Sequence, residues 1–435
     1  MRTGVGAALR KTMHKGLRSL FRALPCERRF ALYRSFVDCD PAPSERLQLK
    51  IADTREELEA CFHLLHDAYV EHGFMKPHPS GMRVTIYHAL PTTTTLCAKW
   101  DGEVVGTISL IRDDSAFGFP LHTVFDLSGV RALDGNIAEV SALAVHPGFR
   151  KTGGAILFPL MKFMYEYATR YFDTRHLVIA VNPNRIEMYE SLLFFRRLAA
   201  NVVEKYDFAN GAPAVGAWLD LKEAPQVFSR VYAGKPPRKN LHGYFIEHDL
   251  PNIAWPQRRY YTTNDPVLTP DLLDYFFNVR TQGFAALDDH RKALLRFIYD
   301  LPEYDAVLPP LPYRAGERRY REHSRYSCRC PGYLTLAHRD WRGRFEIDVV
   351  DVSRYGFLAR AREPLPLKVW SDASVRLGPK DVATVKVMAI RQHPTENADL
   401  LAYGFELGDP DVVWNTFIET LTAGMTYGDV TPVGQ

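Results

Sequence analysis

Apolar positions along the chain change their period several times, and each change marks a new element. Leu9, Met13, Leu17, Leu20, Phe21 and Leu24 recur at helical spacing, with Lys11, Lys15, Arg18 and Arg22 on another face. Residues 47–51 read as a short strand. Thr54 followed by Glu57 is a capping box, and Leu58, Cys61, Phe62, Leu65 and Tyr69 give the helix it opens a buried face. Residues 96–100 and 103–112 read as strands joined by Asp101 and Gly102, a two-residue hairpin signal. The mostly apolar run 137–145 predicts a strand central in its sheet. A helix over 153–171, a strand over 176–181, a short helix over 185–195 and a last strand over 214–221 follow. This alternation predicts an α/β domain over 45–225, with a mixed sheet and flanking helices.

Residues 226–316 read as a helical extension with helices over 272–279 and 291–299. The stretch ends in a stiff linker that carries Pro302, Pro309, Pro310 and Pro312. Beyond it the pattern switches to short strands at 333–338, 345–352, 357–361, 367–370, 383–390 and 401–406, closed by a helix over 411–421. Regular strands with turn signals predict a six-stranded β-barrel with a terminal helix over 317–425. Residues 1–44 form the remaining unit, the basic amphipathic N-terminal helix.

Composition changes this picture little. The chain has 435 residues, of which 46% are hydrophobic and 24% charged, ordinary values for folded domains. The net charge of +3 is concentrated: residues 1–40 hold nine Lys or Arg against three acids. That excess fits docking of residues 1–36 to an anionic surface, either a membrane leaflet or an acidic carrier protein. It also fits a helix that packs on its own domain with a solvated basic face. No apolar run approaches the roughly 20 residues of a membrane span. Six scattered cysteines are too few for a disulfide scaffold. The expectation is a cytoplasmic protein, peripheral at the inner membrane if residues 1–36 dock there, with no nucleic-acid polymer as partner. No metal is expected either. Cys328 and Cys330, with His323 and His338, lack a second pair at zinc spacing.

Candidate chemistry clusters in two places. The central strand runs into Arg150, Lys151, Gly153, Gly154 and Ala155, which open a helix with the spacing Arg-x-x-Gly-x-Ala. Backbone N–H groups at such a turn can hold a phosphate, and the glycines allow close approach. The stretch resembles the acyl-CoA-binding motif of the GNAT N-acyltransferase superfamily. Asn182 to Tyr189, ending at Leu193 and Phe195, is similar to that superfamily's second motif. Residues 65–74 and the strand 138–145 further resemble the long-chain N-acyl amino acid synthases, themselves similar to acyl-homoserine-lactone synthases. Ala142 stands where many of these relatives carry Arg.

The resemblance implies transfer of a fatty acyl group to the amine of an amino acid. The donor would be the phosphopantetheine thioester of acyl carrier protein, or acyl-CoA. An ammonium must lose a proton before it attacks, and an acid on an apolar strand needs a reason to be there, so Glu139 is the candidate base. Its alternative is a structural ion pair. Tyr189 is the candidate acid for the departing thiolate, or a core aromatic. Asn182 positions substrate or caps the next helix. The aromatic stretches 117–119 and 158–167 are candidate walls of an acyl tunnel.

The second place follows the proline linker. Arg321 and Arg325 fill an Arg-x-x-x-Arg motif, and Asp351, Ser353 and Gly356 fill Asp-x-Ser-x-x-Gly. Together they resemble the paired motifs of the PilZ domain, which implies cyclic di-GMP as a regulatory ligand. Guanidinium groups fork onto phosphates and guanine edges, and Asp351 can accept from guanine. A rival reading keeps the nucleotide site and makes the GNAT-like domain a non-catalytic docking module.

Overall fold

The computed structural model describes residues 24–113, 117–133, 135–150, 152–199, 201–256, 258–263, 268–299, 304–311, 325–337, 341–393 and 401–422. The N-terminal amphipathic stripe up to Phe21, Lys151 and Arg321 lie outside them.

The first part is a mixed α/β unit. Helix α1 (Cys26–Ser35) precedes β1 (Leu47–Ile51), α2 (Arg55–Glu71), β2 (Thr93–Trp100), β3 (Glu103–Arg112) and β4 (Asn136–Val145). Then come α3 (Leu157–Arg170), β5 (Thr174–Val181), α4 (Ile186–Leu193), β6 (Arg196–Arg197), β7 (Val203–Tyr206), β8 (Ala212–Asp220) and α5 (Ala224–Tyr232). The sheet order is β1-β2-β3-β4-β5-β8-β6, with β7 also on β8. The β4–β5 pair is parallel and its neighbours are antiparallel. Local chemistry explains several joints. Thr54 accepts from the Glu57 N–H and starts α2. Asp101 and Gly102 both take positive φ, 50° and 88°, as a tight β2–β3 hairpin requires.

Helix α2 covers one face of the sheet and α3 the other, so two apolar cores lie back to back. Leu58, Phe62 and Leu65 pack with Ile137 and Val178 on the first face. Leu160, Phe163 and Tyr167 pack with Ala138, Leu177 and Ile179 on the second. Gly106 lies under α3, where an added Cβ would come 2.8 Å from Ile156. Helix α1 packs on α4: the Arg29 guanidinium pairs with Glu187 at 2.7 Å, and Arg34 donates to the Ser191 carbonyl.

The second part is a closed antiparallel barrel. Its strands are β9 (Tyr326–Ala337), β10 (Arg342–Ser353), β11 (Gly356–Ala361), β12 (Trp370–Arg376), β13 (Val382–His393) and β14 (Leu401–Asp409). They run in the order β10-β11-β14-β13-β12-β9. A terminal helix, α7 (Val412–Thr422), follows α6 (Asp289–Ile298) in numbering and seats Trp414 and Phe417 in the barrel core. Cys328 and Cys330 are core residues here, with thiols directed at the carbonyls of Val349 and Leu377.

Two expectations are corrected. The helix placed at 153–171 starts only at Leu157, because Gly153 and Gly154 take φ of 69° and 91°. The strand placed at 367–370 begins at Trp370 instead. Lys368 has positive φ, Leu367 and Trp370 are exposed, and the alternation that fills the barrel is Ala373 and Val375. The extension over 226–316 contributes residues to each of the cores. Leu241, Tyr244 and Ile253 join the α3-side core, Tyr260 enters the barrel core, and Phe276, Leu295 and Tyr299 return to the α2-side core. Across the join, Arg112 donates to Thr263 and Ser327, each at 3.0 Å, and Arg329 pairs with Asp173 at 2.6 Å.

Candidate functional site

Strand β4 is regular only at its start. Its parallel pairing with β5 ends at Glu139 opposite Val178. Its pairing with β3 skips from Ser141 to Ala144. Between these breaks Ala142 takes φ of 53°, a conformation that costs a non-glycine residue roughly 1–2 kcal/mol. A bulge of this kind bends the strand and separates it from its neighbour. The peptide groups of Ala142 and Leu143 thus fall outside both strand registers.

A cavity of about 940 Å³ fills the gap. Its lining includes Ala68 and Tyr69 from the α2 face and Leu157 and Met161 from the α3 face, so it passes through the sheet between β4 and β5. Arg150, Asn182, Arg185 and Tyr189 line its polar part. Leu177, Ile179, Leu219 and Phe228 line its apolar part. A second cavity of about 80 Å³ shares Tyr69, Phe74, Ser141, Ala180, Val181 and Asn182 with the first, and adds Glu139 and Tyr206.

Glu139 lies on the same face of β4 as Ile137 and is 2% exposed. The Leu121 N–H donates to its carboxylate at 2.7 Å. No ion pair to Glu139 is found among the described residues, so the structural ion-pair alternative has no partner among them. Burial pushes its pKa up to about 8, against the downward pull of that one hydrogen bond. Near neutral pH such a group exchanges protons readily, which suits a general base. Tyr189 has its phenol pKa raised by burial, so it stays protonated and able to donate. Asn182 accepts from the Asn184 N–H, shaping the turn into α4, while also lining both cavities.

Gly153, Gly154 and Ala155 are not part of the cavity lining. Gly153 is exposed with the Asp38 carboxylate nearby, and Arg238 pairs with that carboxylate at 2.7 Å. The Arg150 guanidinium lines the cavity, donates to the Val145 carbonyl and pairs with Glu71 at 2.5 Å. Of the candidate tunnel walls, Met161, Met164 and Tyr165 line the cavity, whereas Phe117 and Phe119 belong to the α2-side core.

Tyr206 was not signalled by the sequence. Its hydroxyl is buried without a hydrogen-bond partner among the described residues, and its ionisation is opposed first by burial and then by the Glu139 charge. The signal that was available is modest: a tyrosine at the end of a polar edge strand.

In the barrel, Arg325 stands just before β9 and donates to the Asp351 carboxylate at 3.1 Å. Ser353 donates to the Gly356 carbonyl at 3.0 Å and closes the β10–β11 turn. The Trp414 indole donates to the Ser353 carbonyl and braces that turn from α7. Gly356 is required sterically, since a Cβ there would lie 2.6 Å from the Phe405 carbonyl oxygen. Both Arg325 and Asp351 are about one-third exposed, so a ligand can reach them.

Residues 60–220 match the protein-family model of the N-acyl amino acid synthase FeeM. Among solved structures, FeeM from uncultured soil microbes aligns at 23% identity over 42% of this chain and 94% of its own, with a TM-score of 0.36. The CoA-dependent acyl-homoserine lactone synthase BjaI, solved with SAM and isopentyl-CoA, aligns at 21% identity over 44% and 92%, with a TM-score of 0.32. YcgR from Escherichia coli, solved in complex with c-di-GMP, aligns at 16% identity over 24% and 45%, with a TM-score of 0.21. No curated protein matches the chain. Residues 60–220 are an acyltransferase domain similar to FeeM.

Proposed function

We propose that this chain moves a long acyl group from the phosphopantetheine thioester of an acyl carrier protein, or from CoA, to the amine of an amino acid. The barrel binds cyclic di-GMP and regulates the transfer. The observation that carries the reading is the buried carboxylate of Glu139 beside a cavity that passes through the sheet at the β4–β5 gap. The thioester carbonyl would sit in that gap, near the unregistered peptides of Ala142 and Leu143, which supply donors for the developing oxyanion. Glu139 takes the proton from the ammonium. The freed amine attacks the carbonyl carbon and the C–N bond forms; the C–S bond breaks as the departing thiolate takes a proton from Tyr189, the second proton lost by the nitrogen restores the Tyr189 phenol, and Glu139 gives its own proton to solvent. The amide and the free thiol of the carrier leave.

Purified protein incubated with acyl-loaded carrier protein, or acyl-CoA, and a mixture of amino acids should yield an N-acyl amino acid by mass spectrometry. Absence of amide product with both donors and all amino acids would sink the reading. Donor binding has its own expected result. Gly154→Ala places a Cβ 2.5 Å from the Phe158 ring at a φ of 91°, so the turn must move. A strain of about 1–2 kcal/mol at that turn corresponds to a rise of roughly tenfold in donor KM, with kcat little changed. An unchanged KM would remove the glycine turn from donor binding.

A further inference from the structure

The large cavity has polar and apolar side chains in its lining, and part of the apolar lining comes from chain that lies beyond residues 60–220. Ala224 and Phe228 come from α5, and Phe245 and Ile246 from a π-helical turn, Gly243–Glu247. Phe228 and Phe245 meet edge to face, with ring centroids 5.9 Å apart. Short π-helical turns are rare and concentrate at functional positions.

One buried lysine is tied to this part of the lining. Lys162 on α3 is 2% exposed. Its ammonium donates to the Phe245 carbonyl at 3.1 Å and pairs with Glu166 at 2.6 Å. Glu166 is held in turn by Arg170 at 2.7 Å. A buried lysine is costly unless its hydrogen bonds and charge are met; here Glu166 meets the charge and the turn that carries Phe245 supplies a carbonyl acceptor. Met161 and Met164 flank Lys162 and line the wall with side chains that adapt readily to the shape of a chain.

We propose that Ala224, Phe228, Phe245 and Ile246 form the floor of an acyl chamber and set the length of acyl chain the protein accepts. Lys162 is the positioning residue that holds the floor in place. The inference rests on the acyl-donor reading above and adds to it a specificity determinant contributed by the extension.

Titration calorimetry of the full chain with S-acyl-pantetheines, from octanoyl to octadecanoyl and without amine, tests it. Affinity should rise about fourfold per methylene while the chamber has room, then stop rising at one length. Phe245→Ala should move that break to chains longer by two or more carbons. Ala224→Leu should move it to shorter ones. Lys162→Met should also move the break to longer chains, because the turn is no longer held. The position of the break is the readout, since a protein that is merely loosened weakens every chain length by a similar factor. An unmoved break in both Phe245→Ala and Ala224→Leu, in a protein that binds the series, overturns the floor and leaves the acyltransferase reading intact. Failure of the unaltered protein to bind any member of the series overturns both.

Discussion

Glu139→Gln should lower acyl-transfer turnover by about 10²–10⁴-fold, the range expected for loss of a general base. It should also make the protein more stable in alkali. The two effects share one cause. Native Glu139 holds its proton up to a pKa of about 8, because burial disfavours the carboxylate. In the unfolded chain the group ionises near its ordinary 4.5. As pH rises from 4.5 to 8 the unfolded state releases a proton that the native state keeps, so native stability falls across that window. The loss is complete above pH 8 and absent below 4.5. At about 1.4 kcal/mol per unit, it amounts to a few kcal/mol. Glutamine does not titrate and keeps an acceptor for the Leu121 N–H, so it escapes the loss.

Denaturant titrations of both proteins should therefore coincide near pH 5 and separate in favour of the Glu139→Gln variant at pH 9. Turnover of the unaltered enzyme should climb with pH through neutrality and level off above about 8, as the ionised base fills. Full turnover in Glu139→Gln, or a flat profile between pH 6 and 9, would show that another group takes the proton.

Arg325→Ala should weaken cyclic di-GMP binding at least 100-fold in calorimetry and remove the response of acyl transfer to added nucleotide. Charged hydrogen bonds from a guanidinium are worth about 1.5–3 kcal/mol each, and a forked contact supplies two. Asp351→Asn should weaken binding too, since one of its acceptor oxygens becomes a donor. Both residues are partly exposed, so their mutual ion pair adds at most about 1 kcal/mol to folding and the variants should melt close to the unaltered protein. Unchanged nucleotide affinity in both variants would take the ligand away from this turn.

A route from that turn to β4 exists in the contacts. Ser327 is the register partner of Asp351, and its hydroxyl accepts from Arg112. Arg112 adjoins Ile111, the register partner of Glu139. A double-mutant cycle between Arg112 and Arg325, read as nucleotide-dependent turnover, measures coupling along it. Additive effects would mean that the route carries none.

Much of the fold was legible because it depends on short-range rules. The Thr54 cap, the Asp101–Gly102 hairpin and the alternation of Val385 and Val387 along a barrel strand need only neighbours in sequence. The candidate site was legible in part for the same reason. An acid within an apolar strand marked Glu139, and the Asp351, Ser353 and Gly356 spacing follows from a tight turn between two strands. Gly356 is a case where sequence named the residue and structure gave the reason, a carbonyl from β14 lying where a side chain would go.

Other features had no local signal. Nothing around Ala142 predicts positive φ, because the bulge arises from how β3 and β5 both lose register with β4 at that point. Tyr206 gained meaning only when β7 brought it beside Glu139. Beside the glycine turn stands Asp38, which arrives there from more than a hundred residues earlier in the chain. The sequence by itself determined the two kinds of domain, their periodicities and the candidate acids and arginines of both sites, since these depend on residue type and spacing. Tertiary structure alone decided where the sheet opens, which far-off residues line the cavity, and that residues 260–263 touch the barrel before the chain returns, because those outcomes depend on packing between segments that no sequence window contains.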